Sequence, residues 1–250
     1  MTPRSLARGA KRFLLAYAHE GALSALGLVA LGIALDVLAH PPGPVPWAIL
    51  AADAPFLWLL WLDGGRRWKR WAFLYGALHF GVGLRWLAEV HVVEVPCAAL
   101  VLGPVYVLFG LAIRWAVGRG APYLLVVPTA AVLEELLRTV WLGGMPWPAR
   151  SLSLAGSPAL LASAATFGAY GLSFLAALAS AVFSGVPSLV RAPRERRGPL
   201  VRRLALAALA PAALAGLFTH LGNERIRGFD VRERTGASIT TPPVVVVQGD

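Results

Sequence analysis

The chain has 250 residues, of which 57% are hydrophobic and only 14% charged, with a formal net charge of +10 and a mean hydropathy of +0.65. An ordinary soluble domain carries about 25% charged residues, so the composition excludes that class and points to an integral membrane protein. Cys97 is the only cysteine, which excludes an intrachain disulfide, and no Cys/His spacing suits zinc.

In chain order, Arg4, Arg8, Lys11 and Arg12 precede an apolar run over Gly21–Leu38. That run approaches the roughly 20 residues a helix needs to cross a bilayer. It is longer than a signal-peptide core and has no small-x-small cleavage site before "HPPGP", so it reads as a retained first span. Further spans are expected near Val45–Leu62, Trp71–Leu87, Pro96–Val117, Pro122–Trp141, Ser157–Val186 and Leu200–His220, which makes seven, the sixth overlong. The basic residues fall on alternate sides. Arg66, Arg67, Lys69 and Arg70 follow span two, Arg114 and Arg119 mark the junction of spans four and five, and Arg191, Arg194, Arg196, Arg197, Arg202 and Arg203 separate spans six and seven. The positive-inside rule predicts a cytoplasmic segment 1–20, a membrane domain over 21–220 and an extracytoplasmic segment 221–250. Short cytoplasmic loops account for the arginine surplus, and no nucleic-acid partner is expected.

The opposite loops, "AHPPGPVPW" (39–47), "AEVHVVEV" (88–95) and "WLGGMPWPARSLSLAGSP" (141–158), are rich in Pro, Gly and Trp. Trp47, Trp86, Trp141 and Trp147 fall near this outer interface, either as an anchoring belt or as a lipid-facing site. Within 133–152, Glu135 to Arg138 has i,i+3 and Glu134 to Arg138 i,i+4 spacing, so a carboxylate and the guanidinium share a helix face. Ionisable groups at membrane depth are costly and mark function by default. The competing reading is a pair at the helix end that snorkels to the interface and fixes orientation. Gly143 and Gly144 then release the helix, Pro146 blocks its continuation, and Trp147 is presented on a rigid loop.

In "FGAYGLSFL" (167–175), Gly168 and Gly171 are expected to admit a neighbouring helix, with Tyr170 and Ser173 bonding across the contact. Asp36, Asp53 and Arg85 lie in or near spans and can pair with one another. His79, His91, Glu89 and Glu94 form no convincing ligand set, and Cys97 begins an apolar span as a buried, inert thiol. Neither a metal nor a cofactor is expected, and there is no phosphate loop or Gly-x-Ser-x-Gly elbow.

The chain ends on "TPPVVVVQGD", whose β-branched run reads as the first strand of a buried sheet with no later strand to pair with. With that strand, five ordered blocks resemble the bacterial apolipoprotein N-acyltransferase family: "AHPPGPVPWAILAADAPFLWLLW", "HFGVGLRWLAEVHV", "EELLRTVWLGGMPW", "GAYGLSFLAALASA" and "VVVVQGD". Leu136, Met145, Gly143 and Asp250 depart from the family's Trp, Phe, Thr and Asn. The resemblance implies an all-α membrane domain of about seven helices leading into a nitrilase-like α/β sandwich, of which this sequence holds only the first strand. It implies a bacterial inner-membrane location. The chemistry it implies is transfer of an acyl chain from a membrane phospholipid to the amino group of a diacylglyceryl apolipoprotein. A cysteine thiolate in the sandwich forms the thioester, with Glu and Lys in support. None of these three groups can be placed in this sequence, so no catalytic residue is expected here, and a separate nitrilase-like chain is a candidate partner. Glu135, Arg138, Gly144, Pro146 and Trp147 are the expected outer lip. The rival readings are a non-enzymatic scaffold docking a partner through 221–250, and a small transporter using Asp36, Asp53, Arg85 and Glu134.

Overall fold

The computed structural model describes residues 22–62, 66–141 and 144–234. The expected segment 1–20, Gly143 and the valine run 244–247 lie outside the described residues. Among the described residues every regular element is helical. Helix α1 spans Ala22–Ala39, and a 3-10 turn at Pro46–Ala48 leads into α2 (Ile49–Ala52) and α3 (Ala54–Leu59). Then come α4 (Trp68–Gly83), a 3-10 turn at Arg85–Glu89, α5 (Glu94–Gly118) and α6 (Tyr123–Trp141). The short α7 (Arg150–Leu154), the long α8 (Pro158–Phe183), α9 (Val186–Arg191) and α10 (Arg194–Arg234) complete the fold.

By length and composition, four helical stretches can cross a membrane: Ala22–Ala39, Glu94–Gly118, Pro158–Leu189 and Arg194–Gly228. The other three expected spans fall on helical segments that do not meet these criteria, each for a physical reason. The second is interrupted at Asp53, between α2 and α3. Helix α4 has 16 residues and is about 24 Å long, short of a hydrocarbon core of about 30 Å. Helix α6 carries Glu134, Glu135 and Arg138. The overlong sixth segment bends at Gly168, whose φ of 68° is open to glycine and strained for other residues. Helix α10 continues past His220 to Arg234, with an exposed Glu224–Arg227 pair at 2.9 Å and an Arg225–Thr166 hydrogen bond at 3.1 Å.

The main core is aromatic. Phe56 of α3 stacks on Phe109 of α5 with centroids 5.2 Å apart and meets Tyr106 edge-on at 4.9 Å. Tyr75 of α4 packs on both Phe56 and Tyr106 and donates its hydroxyl hydrogen to Ala52 O at 2.9 Å. That carbonyl is released where α2 breaks, so an apolar core supplies the one donor it needs. The same break exposes Asp53 N–H, accepted by Ser180 Oγ at 3.4 Å, while the Ser180 hydroxyl donates to Leu50 O at 2.9 Å. At the far end of α5, Arg114 lies over the Trp61 and Trp68 rings and donates to Leu60 O. A second cluster joins Ile49, Leu154, Leu160, Leu172, Leu175 and Phe218 across α2, α7, α8 and α10.

The close approach expected at Gly168 is not made, because a Cβ there would meet no atom within 4 Å. The glycine serves the bend instead. At Gly171 a Cβ would lie 3.6 Å from Phe218 of α10, an ordinary contact, and 2.6 Å from Phe167 Cβ of its own helix. The α8–α10 contact is carried by the Phe167–Phe218 stack at 4.2 Å. Tyr170 donates to Thr139 Oγ1 of α6 at 3.3 Å, and Ser173 Oγ accepts Ser151 N–H of α7 at 3.2 Å.

A close backbone approach joins α4 and α5, where a Cβ on Gly76 would stand 2.6 Å from Gly103 O. Gly76→Val is expected to destabilise the fold by about 3 kcal/mol, as overpacking against backbone does. Gly118→Ala, which meets nothing within 4 Å, should change stability by no more than about 0.5 kcal/mol. Thermal unfolding in detergent, compared for the two variants, is the check.

Candidate functional site

Six ionisable side chains meet in the apolar interior near one end of the bundle: Asp53, Glu134, Glu135, Arg138, Arg150 and, one step removed, Asp36. All are buried, Arg138 with no accessible surface. Helix α6 presents Glu134 and Arg138 on one face, and Arg138 Nε lies 2.5 Å from Glu134 Oε1. The i,i+3 neighbour Glu135 turns instead to α7, where its Oε1 accepts both the backbone N–H of Arg150 and Arg150 Nη1, each at 3.0 Å. Arg150 Nη1 also reaches Glu134 Oε2 at 3.0 Å, and its Nε and Nη2 grip Asp53 Oδ2 and Oδ1 at 2.6 and 3.3 Å. One guanidinium thus ties the α2–α3 break, α6 and the start of α7 together, using the planar fork that only arginine offers.

Arg138 points the rest of its fork at the loop before α7, with Nη1 donating to Trp147 O at 3.0 Å and Nη2 to Pro148 O at 3.2 Å. Its guanidinium also lies over the Phe80 ring at 5.1 Å. The reading in which Arg138 snorkels to the interface is therefore overturned: the loop folds back over α6 and supplies the carbonyls that water would have offered. Room for that loop comes from Gly83, where a Cβ would stand 2.6 Å from Pro148 Cγ.

A histidine–carboxylate relay flanks the arginines. Asp36, near the end of α1, meets His79 Nδ1 at 2.8 Å and His40 Nδ1 at 3.0 Å. His40 Nε2 faces Ala149 O at 3.2 Å. Both ring nitrogens of His40 thus face acceptors, and only the doubly protonated imidazolium donates to both. Asp36 and Asp53 do not pair with Arg85, which is on the exposed 3-10 turn Arg85–Glu89 and donates to Val82 O at 3.3 Å.

Above this network lies the expected lip. Gly144, exposed with φ 83°, starts the loop; Pro146 is half-buried; and the Trp147 ring, 47% exposed, meets Trp86 edge-on at 6.2 Å. Glu135 and Arg138 lie beneath it. Cys97, expected to be buried, is exposed in the first turns of α5. His91 Nδ1 accepts Val93 N–H at 3.3 Å. Among the described residues no three His, Cys, Asp or Glu side chains converge as a metal would require. Because the buried acids and bases are engaged with one another, the network is suited to holding a loop in place. It presents no activated nucleophile.

Sequence reasoning singled out Glu134, Glu135 and Arg138 but missed Arg150 and His40. The available signal was an arginine in "MPWPARSL" with no acidic neighbour in the loop, opposite apolar spans that hold unmatched Asp36 and Asp53.

A helical bundle with apolar crossing helices and an internal ion network beneath a Trp-Pro loop belongs to the polytopic membrane proteins. The model of the apolipoprotein N-acyltransferase N-terminal domain matches residues 32–182, so the chain belongs to that family. Curated relatives include the apolipoprotein N-acyltransferases of Rhizobium etli, 31% identical over 194 residues, and Allorhizobium ampelinum, 31% identical over 196. Each alignment covers 68% of this chain and 35% of the relative, so the chain spans about a third of the length of these relatives. No solved structure matches it significantly. The family and the apolar helices make this a bacterial membrane protein.

Removing one partner of a buried ion pair strands the others, at a typical cost of 3–5 kcal/mol. Arg150→Met is expected to cost about that much, and Arg150→Lys to recover only part of it, since one ammonium cannot bridge Asp53, Glu134 and Glu135. In a double-mutant cycle with Asp53→Asn, denaturation should give a coupling of about 0.5–3 kcal/mol; additive losses would mean that the two residues act independently.

Proposed function

We propose that this chain is the membrane domain of an apolipoprotein N-acyltransferase. In this reading it presents phospholipid and the diacylglyceryl cysteine of an apolipoprotein to a nitrilase-like catalytic unit on the outer side of the inner membrane. The observation that carries the reading is the family match over residues 32–182. That interval holds Asp36, His40, Asp53, His79, Glu134, Glu135, Arg138 and Arg150, the whole network beneath the lip.

The chain contributes positioning. Arg138 fixes the carbonyls of Trp147 and Pro148, so the Trp147 ring stands at a set height beside Trp86, where an amphipathic indole pair is at home between acyl chains and headgroups. The thiolate that takes the acyl group belongs to the catalytic unit, in the same polypeptide or in a separate partner chain. A displaced lip would misplace the ester carbonyl relative to that thiolate, and errors of about 1 Å can cost about a hundredfold in rate. In an intact acyltransferase containing this domain, Arg138→Ala should lower acyl transfer by about a hundredfold and Trp147→Ala by about tenfold. Mass spectrometry of lipoprotein N-termini gives the readout, and wild-type acylation in both variants would remove the lip from the mechanism.

The topology in this reading places the amino terminus in the cytoplasm and the Trp-rich loops outside. In a Cys97→Ala background, His91→Cys should react with a membrane-impermeant maleimide on intact spheroplasts, and Gly198→Cys only after permeabilisation. The opposite labelling pattern would invert the orientation.

A further inference from the structure

Between α8 and α10 runs an apolar groove of about 530 Å³, walled by Leu175, Ala179 and Val182 on one side and Leu204, Ala208 and Ala212 on the other. The two helices pinch together beyond Thr219, where a Cβ on Gly222 would stand 1.8 Å from Ala159 O. Near the other end Gly185, in the turn after α8, lies against α10, a Cβ there falling 2.4 Å from Leu204 Cδ2. Lining residues of α10 extend from Val201 to Thr219, a rise of about 27 Å, close to the thickness of a hydrocarbon core. Where the groove reaches Trp47 and Leu154 it adjoins a second cleft of about 280 Å³, which those two residues also line together with Pro46, Ser153 and Ser157.

The second cleft has a polar feature that packing does not explain. Ser153 is buried, 2% exposed, and its hydroxyl has no hydrogen-bond partner. A buried hydroxyl left unpaired is destabilising, and native structures rarely keep one without a ligand, water or ion to satisfy it. Beside it, Ser157 precedes the 26-residue helix α8 and makes no side-chain capping bond, so the cleft lies at a helix N-terminus.

An apolar slot long enough to hold a whole acyl chain, opening through Trp47 into a cleft with an unsatisfied donor, matches one ligand chemistry. We infer that this continuous site binds a glycerophospholipid, with one acyl chain in the α8–α10 groove and an ester carbonyl or phosphate oxygen accepting the Ser153 hydroxyl hydrogen. The lipid enters from the leaflet on the side of Trp47, opposite the Arg194–Arg203 end of α10. Identifying it as the acyl donor rests on the function proposed above; the binding itself does not.

The full chain in detergent, photolysed with phosphatidylglycerol carrying a diazirine in its acyl chain, should be labelled on peptides from 175–186 and 201–215. A long-chain hydrocarbon with the same diazirine should label these peptides about three- to tenfold less, because it has no oxygen to accept the Ser153 hydrogen. Ala212→Trp fills the groove from an exposed position and should abolish the label, whereas Ala213→Trp, on the next face of the helix, should keep it. Ser153→Ala should weaken phospholipid retention by about three- to tenfold, the loss of one hydrogen bond, and at the same time raise the melting temperature of the delipidated protein. A merely structural serine would not separate those two effects. Label spread evenly over the bundle, equal labelling by the hydrocarbon, or a cross-linked dimer that buries these peptides would overturn the assignment. None of these readouts requires acyl transfer, so the site and the proposed function fail separately.

Discussion

The guanidinium of Arg150 is the constraint on which the rest depends. It sits 5% exposed among apolar helices and contacts Asp53, Glu134 and Glu135 at once. A charge so placed is tolerable only if every hydrogen of its fork has a partner, and those partners come from segments far apart in the chain. That requirement explains several features that hydropathy alone leaves odd. The second segment breaks at Asp53 because the carboxylate is needed inside, and α6 keeps its acidic pair and Arg138 in an apolar setting. The Trp147 loop folds inward because Arg138 needs its carbonyls.

Buried ion pairs are poor evidence for stability in themselves, since their desolvation roughly cancels their attraction. Their value here is specificity of arrangement. Apolar helices slide past one another with little penalty in a lipid solvent, but a bundle that must match Arg150 to Asp53 and His40 to Ala149 O has one register. The aromatic cluster of Phe56, Tyr75, Tyr106 and Phe109 packs against this network, and Arg150 lies over the Phe109 ring at 5.4 Å. The low dielectric of these rings strengthens the pairs and raises the cost of losing any of them.

Around that rigid centre the protein is loosely clad. Helix α10 is largely exposed along its apolar stretch, and it meets α8 closely at the Phe167–Phe218 stack and where Gly222 lies against Ala159 O. A fixed lip on one side and an open seam on the other suit a membrane domain in which one part must hold its place and another must face lipid.

Much of this was legible in the amino acids. Apolar runs near membrane length, the Trp-Pro loops and the i,i+4 pair of Glu134 and Arg138 are local, and local periodicity is what a sequence displays. The five ordered blocks pointed to the family that the match over residues 32–182 establishes. What could not be read were contacts between segments far apart. Asp53 meets Arg150 across 97 residues and His40 meets Ala149 across 109, and no spacing rule connects such positions. The bend at Gly168 also looked like a packing notch, because a glycine's backbone angle is invisible until the helix around it is built. Sequence alone determined which segments are apolar and which charges had to be accounted for. Only the tertiary structure decided which charge meets which, because pairing depends on three-dimensional proximity that burial, not sequence distance, imposes.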